Sequence, residues 1–140
     1  MNNSDLKILI AEDDVLMTKI LELVLKKEGY QVTSCKDGLS AIQKIPVLIP
    51  DLIITDIILP FHSGLEIIEH SKNHFPHIPI MVVSSLRKEE KTIVDAFNLG
   101  ADEFVSKPFN PKELLIRIKL LFAKRNQIKK PDDTKTNISA

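Results

Sequence analysis

Acidic side chains follow two strongly apolar segments of this chain. Asp56 comes directly after residues 52–55, and Glu12 and Asp13 come directly after residues 7–11. If both segments are strands of one open parallel sheet, their carboxyl ends meet at the edge where such sheets bind ligands. Carboxylates crowded there repel one another unless a cation neutralises them, and oxygen ligands suit a hard divalent ion. The sequence therefore predicts an acidic crevice that binds Mg²⁺.

Short apolar segments alternate with segments of helical periodicity along the chain. This alternation is typical of strand–helix–strand units, whose right-handed crossovers produce a parallel sheet with helices on both faces. Strands are expected near residues 7–11, 30–35, 51–55, 79–84 and 102–106. Helices are expected after each strand, the first ending at Gly29 and the others covering about 37–47, 64–74, 88–99 and 110–124.

The first helix carries Leu16, Ile20, Leu23 and Val24 at positions i, i+4, i+7 and i+8. Residues with this spacing lie on one side of a helix, so these four are expected to face the sheet. His70 and His74 are four residues apart in the third helix. No third zinc ligand accompanies them in the sequence pattern, so they are expected to be surface histidines.

Composition favours one soluble domain. The chain has 140 residues, of which 44% are hydrophobic and 27% charged, and it lacks the roughly 20-residue apolar segment of a membrane span. Its 19 basic and 19 acidic residues balance, so direct nucleic-acid binding is not expected. The single Cys35 excludes an internal disulfide and favours the cytoplasm. We expect a domain over residues 1–125 and a flexible polar tail over 126–140.

Further landmarks lie at the ends of the expected strands. Pro60 and Gly64 follow Asp56, Ser84 ends the fourth strand, and Lys107-Pro108 ends the fifth. With the acidic residues above, these landmarks make residues 6–123 resemble the receiver domain of two-component response regulators. The resemblance implies a flavodoxin-like (βα)5 sandwich of three layers, with a five-stranded parallel sheet of order 2-1-3-4-5.

The resemblance also implies roles for the acidic residues. Asp56 would be the phosphoacceptor, and Asp13 would be a direct Mg²⁺ ligand. Glu12, Asp56 and the backbone carbonyl of Ile58 would complete the metal site.

Three residues at the ends of the fourth and fifth strands would act on the phosphoryl group. Lys107 would supply a cation to one of its oxygens, and the Ser84 hydroxyl would donate to another and draw its loop inward. Phe104 would be the aromatic that moves with that loop. The resemblance further implies a cis peptide bond between Lys107 and Pro108.

The expected donor is a sensor histidine kinase or a histidine phosphotransfer protein. The domain would then be a phosphoacceptor with slow autodephosphorylation, not an enzyme that turns over external substrates. Residues 107–114 are similar to receivers attached to winged-helix DNA-binding domains, which pair through the face formed by helix 4, strand 5 and helix 5. Ile116 and Leu120 should lie outside the core stripe of helix 5, so we expect a homodimer or a partner to use that face.

Three other classes are less compatible with these residues. A haloacid-dehalogenase-type phosphatase needs a second acid two residues after the nucleophile, where this chain has Ile58. A scaffold that keeps the fold without phosphorylation would be favoured by loss of Asp13, Asp56 or Lys107, and all three are present. A flavin-binding relative would need a phosphate loop after the first strand, where acids stand instead.

The resemblance implies that two side chains flank the path of the hydrolytic water, and both are apolar in this chain. These are Ile58 and Leu86, each two residues beyond a site residue. Neither can hold a water for in-line attack, so a long-lived phosphorylated state is expected.

Overall fold

Strands and helices alternate strictly in the computed structural model, which describes residues 2–85 and 90–128. After a short 3-10 turn at Asn3–Asp5, the order is β1 (Lys7–Ala11), α1 (Val15–Lys27), β2 (Gln31–Cys35), α2 (Gly38–Leu48), β3 (Leu52–Thr55), α3 (Gly64–His74), β4 (Ile80–Ser84), α4 (Glu90–Leu99), β5 (Glu103–Ser106) and α5 (Pro111–Ile128). The strand positions agree with the sequence pattern to within one residue at each end. The expected first two residues of α4, 88 and 89, lie outside the described residues.

The five strands form one parallel sheet of order β2-β1-β3-β4-β5, which confirms the predicted topology. β1 is an interior strand and pairs with both β2 and β3. In its register with β3, Ala11 lies opposite Thr55. The residues that follow these two, Glu12 and Asp56, therefore leave the sheet side by side.

Apolar residues pack on both faces of the sheet, as expected for a three-layer sandwich. Ile8 and Ile10 of β1 belong to one core cluster, together with buried residues of α1 and α5. Leu9 and Ala11 point to the other face, where they pack with residues of α2, α3 and α4. Strands buried on both sides read as continuous apolar runs, which explains the sequence signal at β1, β3 and β4.

The predicted buried face of α1 was wrong for Leu16, Ile20 and Leu23, whereas Val24 does pack against the core. Leu16 and Leu23 are 68% and 71% exposed, whereas Leu21 and Leu25 are buried. α1 is apolar around most of its circumference, so two overlapping stripes compete for the sheet. The helix starts directly after its N-cap Asp14, and packing against β1 residues buries Leu21 and Leu25.

Capping residues mark the start of α1 and the ends of α1 and α4. Asp14 accepts hydrogen bonds from the N–H groups of Leu16 and Met17 at the start of α1. Gly29 and Gly100 follow α1 and α4 with φ of 97° and 118°, a conformation that side chains other than glycine's disfavour.

α5 is longer than predicted. It continues through Ile128 and so includes three residues that we assigned to the tail. Residues 129–140 lie outside the described part of the chain, and the division into domain and tail stays a prediction.

An ion pair attaches the carboxyl-terminal end of α5 to Asp51, which precedes β3. This edge of the sheet is opposite to the edge at which Asp56 lies. Arg125 Nη1 donates to Asp51 Oδ1 at 2.9 Å and to the Asp51 carbonyl at 3.2 Å. Asp51 Oδ2 also accepts from the N–H of Lys7, which opens β1. Over residues 2–85 and 90–128, no helix is long and apolar enough to cross a membrane.

Candidate functional site

The carboxyl-terminal edge of the sheet brings Glu12 and Asp56 together. The N–H of Asp56 donates to the carbonyl of Ala11, and the N–H of Glu12 donates to the carbonyl of Cys35, each at 3.0 Å. Backbone pairing thus continues one residue beyond the strands. The Glu12 side chain is 3% exposed and the Asp56 side chain 13%, so both carboxylates lie in a recess.

Lys107 joins these two carboxylates. Its Nζ donates to Glu12 Oε1 at 2.6 Å and to Asp56 Oδ2 at 2.8 Å. The N–H of Lys107 donates to the carbonyl of Ser84, which extends the pairing of β4 and β5. The Lys107–Pro108 bond is cis, as predicted.

Burial controls the charge balance of this recess. It raises the pKa of the Glu12 carboxyl above its ordinary value, although Lys107 and the N–H of Asp14 act in the opposite direction. Burial alone would lower the pKa of Lys107, but hydrogen bonds to Asp56 and Glu12 outweigh it, and the pKa is raised. Lys107 therefore stays cationic, and its single charge does not offset the burial of Glu12 completely.

The loop after β3 orients the Asp56 carboxylate. Asp56 Oδ1 accepts from the N–H of Ile57 at 2.6 Å, while Oδ2 accepts from Lys107. The N–H of Gly64 donates to the carbonyl of Ile57 at 2.7 Å and closes the loop. A Cβ on Gly64 would lie 2.0 Å from the Asp56 carbonyl oxygen, so only glycine permits this approach.

The remaining predicted metal ligands lie at the rim of the recess. Asp13 is exposed, and Ile58 is an exposed residue of the loop after β3. Among the residues that the structure describes, no three His, Cys, Asp or Glu side chains are close enough as they stand to hold a metal ion. The donor set still has the chemistry of a hard cation site, because Glu12, Asp13 and Asp56 offer carboxylate oxygens, and a single lysine is shared by Glu12 and Asp56.

The predicted switch residues lie beside this recess. Ser84 is buried at the end of β4, opposite Ser106 in the register with β5. Phe104 is half-buried in β5 and lines a cleft of about 260 Å³ with Phe109 and Arg117 of the following segment. Leu86 lies outside the described residues.

Sequence analysis missed one unusual residue of the loop after β3. Phe61 has a φ of 67°, in the left-handed region, and its side chain is 77% exposed. A phenylalanine after a proline carries no pattern that indicates this conformation, because left-handed φ is signalled in sequences by glycine or asparagine.

The assembled residues suit the capture of an electrophile with anionic oxygens. One carboxylate is held by donors to both of its oxygens, an ammonium lies next to it, and further carboxylates can recruit a cation. Such an arrangement can position a nucleophilic carboxylate and stabilise negative charge that collects around it.

Comparison with known proteins gives a consistent result. Residues 8–119 match the family described as "Response regulator receiver domain". The chain is 41% identical over 115 residues to the transcriptional regulatory protein KdpE of Staphylococcus aureus, covering 82% of this chain and 49% of that protein. It is 32% identical over 131 residues to the alkaline phosphatase synthesis transcriptional regulatory protein PhoP of Bacillus subtilis, covering 94% and 54%. The chain thus spans about half the length of these curated relatives.

Solved structures show the same similarity. A CheY-like response regulator receiver domain protein from Methanospirillum hungatei superimposes with a TM-score of 0.82 and 30% identity, over 87% of this chain and 97% of that one. A response regulator from Chloroflexus aurantiacus gives a TM-score of 0.79 and 32% identity, over 84% and 97%. The sheet order, the acidic recess and these similarities agree. The chain belongs to the response regulator receiver domain family, the signalling domains of two-component systems.

Proposed function

We propose that this receiver domain accepts a phosphoryl group on Asp56 from a phosphohistidine of a sensor kinase or of a phosphotransfer protein. The observation that carries the proposal is the setting of the Asp56 carboxylate. It is oriented by the N–H of Ile57 and by Lys107, and it lies in a recess beside Glu12. Since these kinases act inside cells and the single Cys35 suits a reducing compartment, we place the domain in the cytoplasm.

The transfer needs positioning more than covalent assistance. A carboxylate oxygen of Asp56 forms a bond to phosphorus as the bond between phosphorus and the imidazole nitrogen breaks. The electron pair of the broken bond stays on that nitrogen, and solvent protons balance the charge of the released imidazole. Lys107 holds its ammonium where it can contact a phosphoryl oxygen, so negative charge is stabilised without rearrangement of the backbone.

Mg²⁺ is the cofactor that this donor set fits. Asp13, Asp56 and the backbone carbonyl of Ile58 would hold it, with Glu12 as the acidic partner of the site. When bound, it supplies positive charge that makes additional phosphoryl oxygens tolerable beside three carboxylates.

The response to phosphorylation would run through Ser84 and Phe104. The Ser84 hydroxyl would donate to a phosphoryl oxygen, and its strand pairs with β5, where Phe104 lies opposite Val82. A shift at the end of β4 would therefore reach the cleft that Phe104 shares with Arg117. This local event would alter the α4–β5–α5 face.

That face carries exposed apolar residues from two helices. Val94 and Phe97 of α4 and Ile116 and Leu120 of α5 are exposed. Patches of this kind mark contact sites. We propose that a second copy of the chain, or an output partner, binds here after phosphorylation.

The test of the proposed function is intact-mass analysis after treatment with a small phosphodonor and Mg²⁺. Wild type should gain the mass of one phosphoryl group and Asp56→Asn should gain none. Asp5→Asn, which changes an aspartate near the amino terminus, serves as the matched control and should react as wild type does. Equal labelling of wild type and Asp56→Asn would remove Asp56 as the acceptor.

Asp13→Ala should weaken Mg²⁺ binding in a metal titration, and an unchanged titration would contradict the assignment of the metal site.

A further inference from the structure

Phe61 is an exposed aromatic residue in the loop that carries the phosphoacceptor. We infer that Phe61 is a docking residue for the phosphohistidine-bearing protein that phosphorylates Asp56. This inference rests on the proposed function and adds to it one contact that selects the donor protein.

Hydrogen bonds fix the loop on both sides of Phe61. The Pro60 carbonyl accepts from the N–H of Gly38 and from the N–H of His62, each at 3.0 Å. His62 Nδ1 lies 2.6 Å from Glu66 Oε2, and Glu66 forms a capping box with Ser63. The conformation of Phe61 is therefore imposed by its neighbours, and its side chain is presented from a rigid base.

Phe61 does not contribute to folding in the way that other apolar residues of the loop do. Leu59 packs against a core cluster, whereas Phe61 belongs to neither cluster formed by the described residues. A residue with a Cβ is disfavoured at a φ of 67°. A large apolar side chain is thus exposed to solvent on a strained backbone, and no packing in either core cluster compensates for the strain. Strain of this kind points to a role outside the fold.

The position of the loop identifies what should cover this side chain. Phe61 follows Asp56 by five residues, and Ile58 between them is also exposed. The Asp56 carboxylate is recessed, and transfer requires the reacting atoms to approach to about 3–3.5 Å. A protein donor must therefore lie against the loops around the recess, and the loop after β3 is one of them. A donor that offers an apolar depression beside its phosphohistidine would bury Phe61 on docking.

The energetics of interfaces favour a single aromatic residue in this role. Interface free energy is concentrated in a few anchors, with aromatic residues prominent among them. A side chain held on a fixed backbone loses less conformational freedom on binding than one on a mobile loop. Phe61 is both aromatic and held on a fixed backbone, so it suits the role of an anchor.

The test compares two kinds of phosphodonor on wild type and Phe61→Gly. Phosphoramidate needs no protein contact, and both proteins should react with it at the same rate. The second donor is the autophosphorylated histidine kinase that labels wild type fastest in a panel of such kinases. With that kinase, Phe61→Gly should react at least about tenfold more slowly than wild type. This is the loss expected when one buried anchor is removed.

Two further variants separate docking from folding. Glycine relieves the left-handed strain, so the thermal midpoint of Phe61→Gly should equal or exceed that of wild type. Phe61→Leu keeps an apolar side chain and should retain more of the kinase reaction than Phe61→Gly. Val47→Ala removes another exposed apolar side chain, at the far end of α2, and should react as wild type does with both donors.

Four results would overturn the inference. The kinase rate could be equal in wild type and Phe61→Gly, or both donors could slow equally, which would place Phe61 in the chemistry of the recess. Phe61→Gly could also lose self-association in sedimentation, which would identify a second copy as the partner. If neither donor modifies wild type, the proposed function itself fails, and the docking role with it. A normal phosphoramidate reaction with an unchanged kinase rate rejects the docking role alone.

Discussion

Lys107 Nζ lies 2.8 Å from Asp56 Oδ2, although 51 residues separate them in the sequence. The contact exists because β3 and β5 end at the same edge of a parallel sheet, on either side of β4. The proposed acceptor is thus paired with its cation before any phosphoryl group arrives.

Replacing Lys107 with methionine should show that the lysine and Mg²⁺ neutralise the same carboxylates. Without divalent cations, Lys107→Met should lose about 1.5–3 kcal/mol of unfolding free energy, because charged acceptors in the recess lose a donor. Millimolar Mg²⁺ should then stabilise the variant more than wild type, as measured by urea unfolding. Lys72→Met is the control, since Lys72 pairs with Asp102 on another part of the surface. An equal effect of Mg²⁺ on all three proteins would contradict the prediction.

Polar residues at positions 58 and 86 should shorten the life of the phosphorylated state. Ile58 is exposed at the rim of the recess, and an asparagine there could hold a water for in-line attack. The double variant Ile58→Asn with Leu86→Gln should lose phosphate roughly ten-fold faster, a change of about 1.4 kcal/mol in the barrier. Decay of labelled protein in Mg²⁺ buffer gives the rates. Leu23→Asn changes an exposed apolar residue of α1 and should decay like wild type. Equal decay in the double variant and wild type would place water control elsewhere, in the Ser84 loop or at His62.

Ile116→Glu should weaken association through the α4–β5–α5 face. A carboxylate in an apolar contact must be desolvated, so the dimer or partner complex formed with beryllofluoride should dissociate. Sedimentation with and without beryllofluoride measures the change. Leu23→Glu places the same charge on the exposed side of α1 and should leave association intact. If no sample changes mass or partner binding on treatment, this face is not the one that responds.

Arg125 and Arg117 should differ sharply in their contribution to stability. Arg125 is 8% exposed and pairs with Asp51 beneath the ring of Phe122, whereas Arg117 is 37% exposed and pairs with Glu103 and Glu113. Breaking a buried pair leaves an uncompensated charge, so Arg125→Ala should cost about 3 kcal/mol and Arg117→Ala less than about 1 kcal/mol. Chemical unfolding of both variants compares them, and equal losses would show that burial does not decide the difference.

His70, which stacks on His74, should titrate below its usual range. Burial, and to a smaller extent the charge of His74, lower the pKa of His70 from 6.5. Between pH 6.5 and the lowered pKa, His70 binds a proton in the unfolded chain but not in the folded one. The free energy of unfolding should therefore fall as pH decreases from 6.5 through the lowered pKa. In an NMR titration, His74→Gln should raise the His70 pKa part of the way. His62→Gln should have a smaller effect, and a His70 pKa at or above 6.5 in wild type would refute the prediction.

The sequence was sufficient to predict the parallel sheet and the proximity of the acidic residues at one of its edges. Buried parallel strands are continuous apolar runs, and their ends share one edge, so Glu12, Asp56 and Lys107 could be placed together without coordinates. The cis bond before Pro108 came from the family resemblance, since no local pattern specifies it.

Two features could not be read from the sequence, for different physical reasons. α1 offers two overlapping apolar stripes, and only packing against β1 decides that Leu21 is buried while Leu16 and Leu23 are exposed. The left-handed backbone of Phe61 accompanies hydrogen bonds to the Pro60 carbonyl from the adjacent His62 and from Gly38, at the start of α2. Neither tertiary packing nor a loop conformation supported by a donor from another element leaves a mark in local periodicity.

The helix that starts beside Lys107 ends at the other pole of the domain, where Arg125 meets Asp51. α5 has 18 residues and is therefore about 27 Å long. In physiological salt the Debye length is about 8 Å, so the direct electrostatic effect of a phosphoryl group on Asp56 should be weak at the far end of α5. A segment or partner attached at the end of α5 can therefore respond to phosphorylation only if α5 moves as a rigid helix, or if the α4–β5–α5 face binds a different partner.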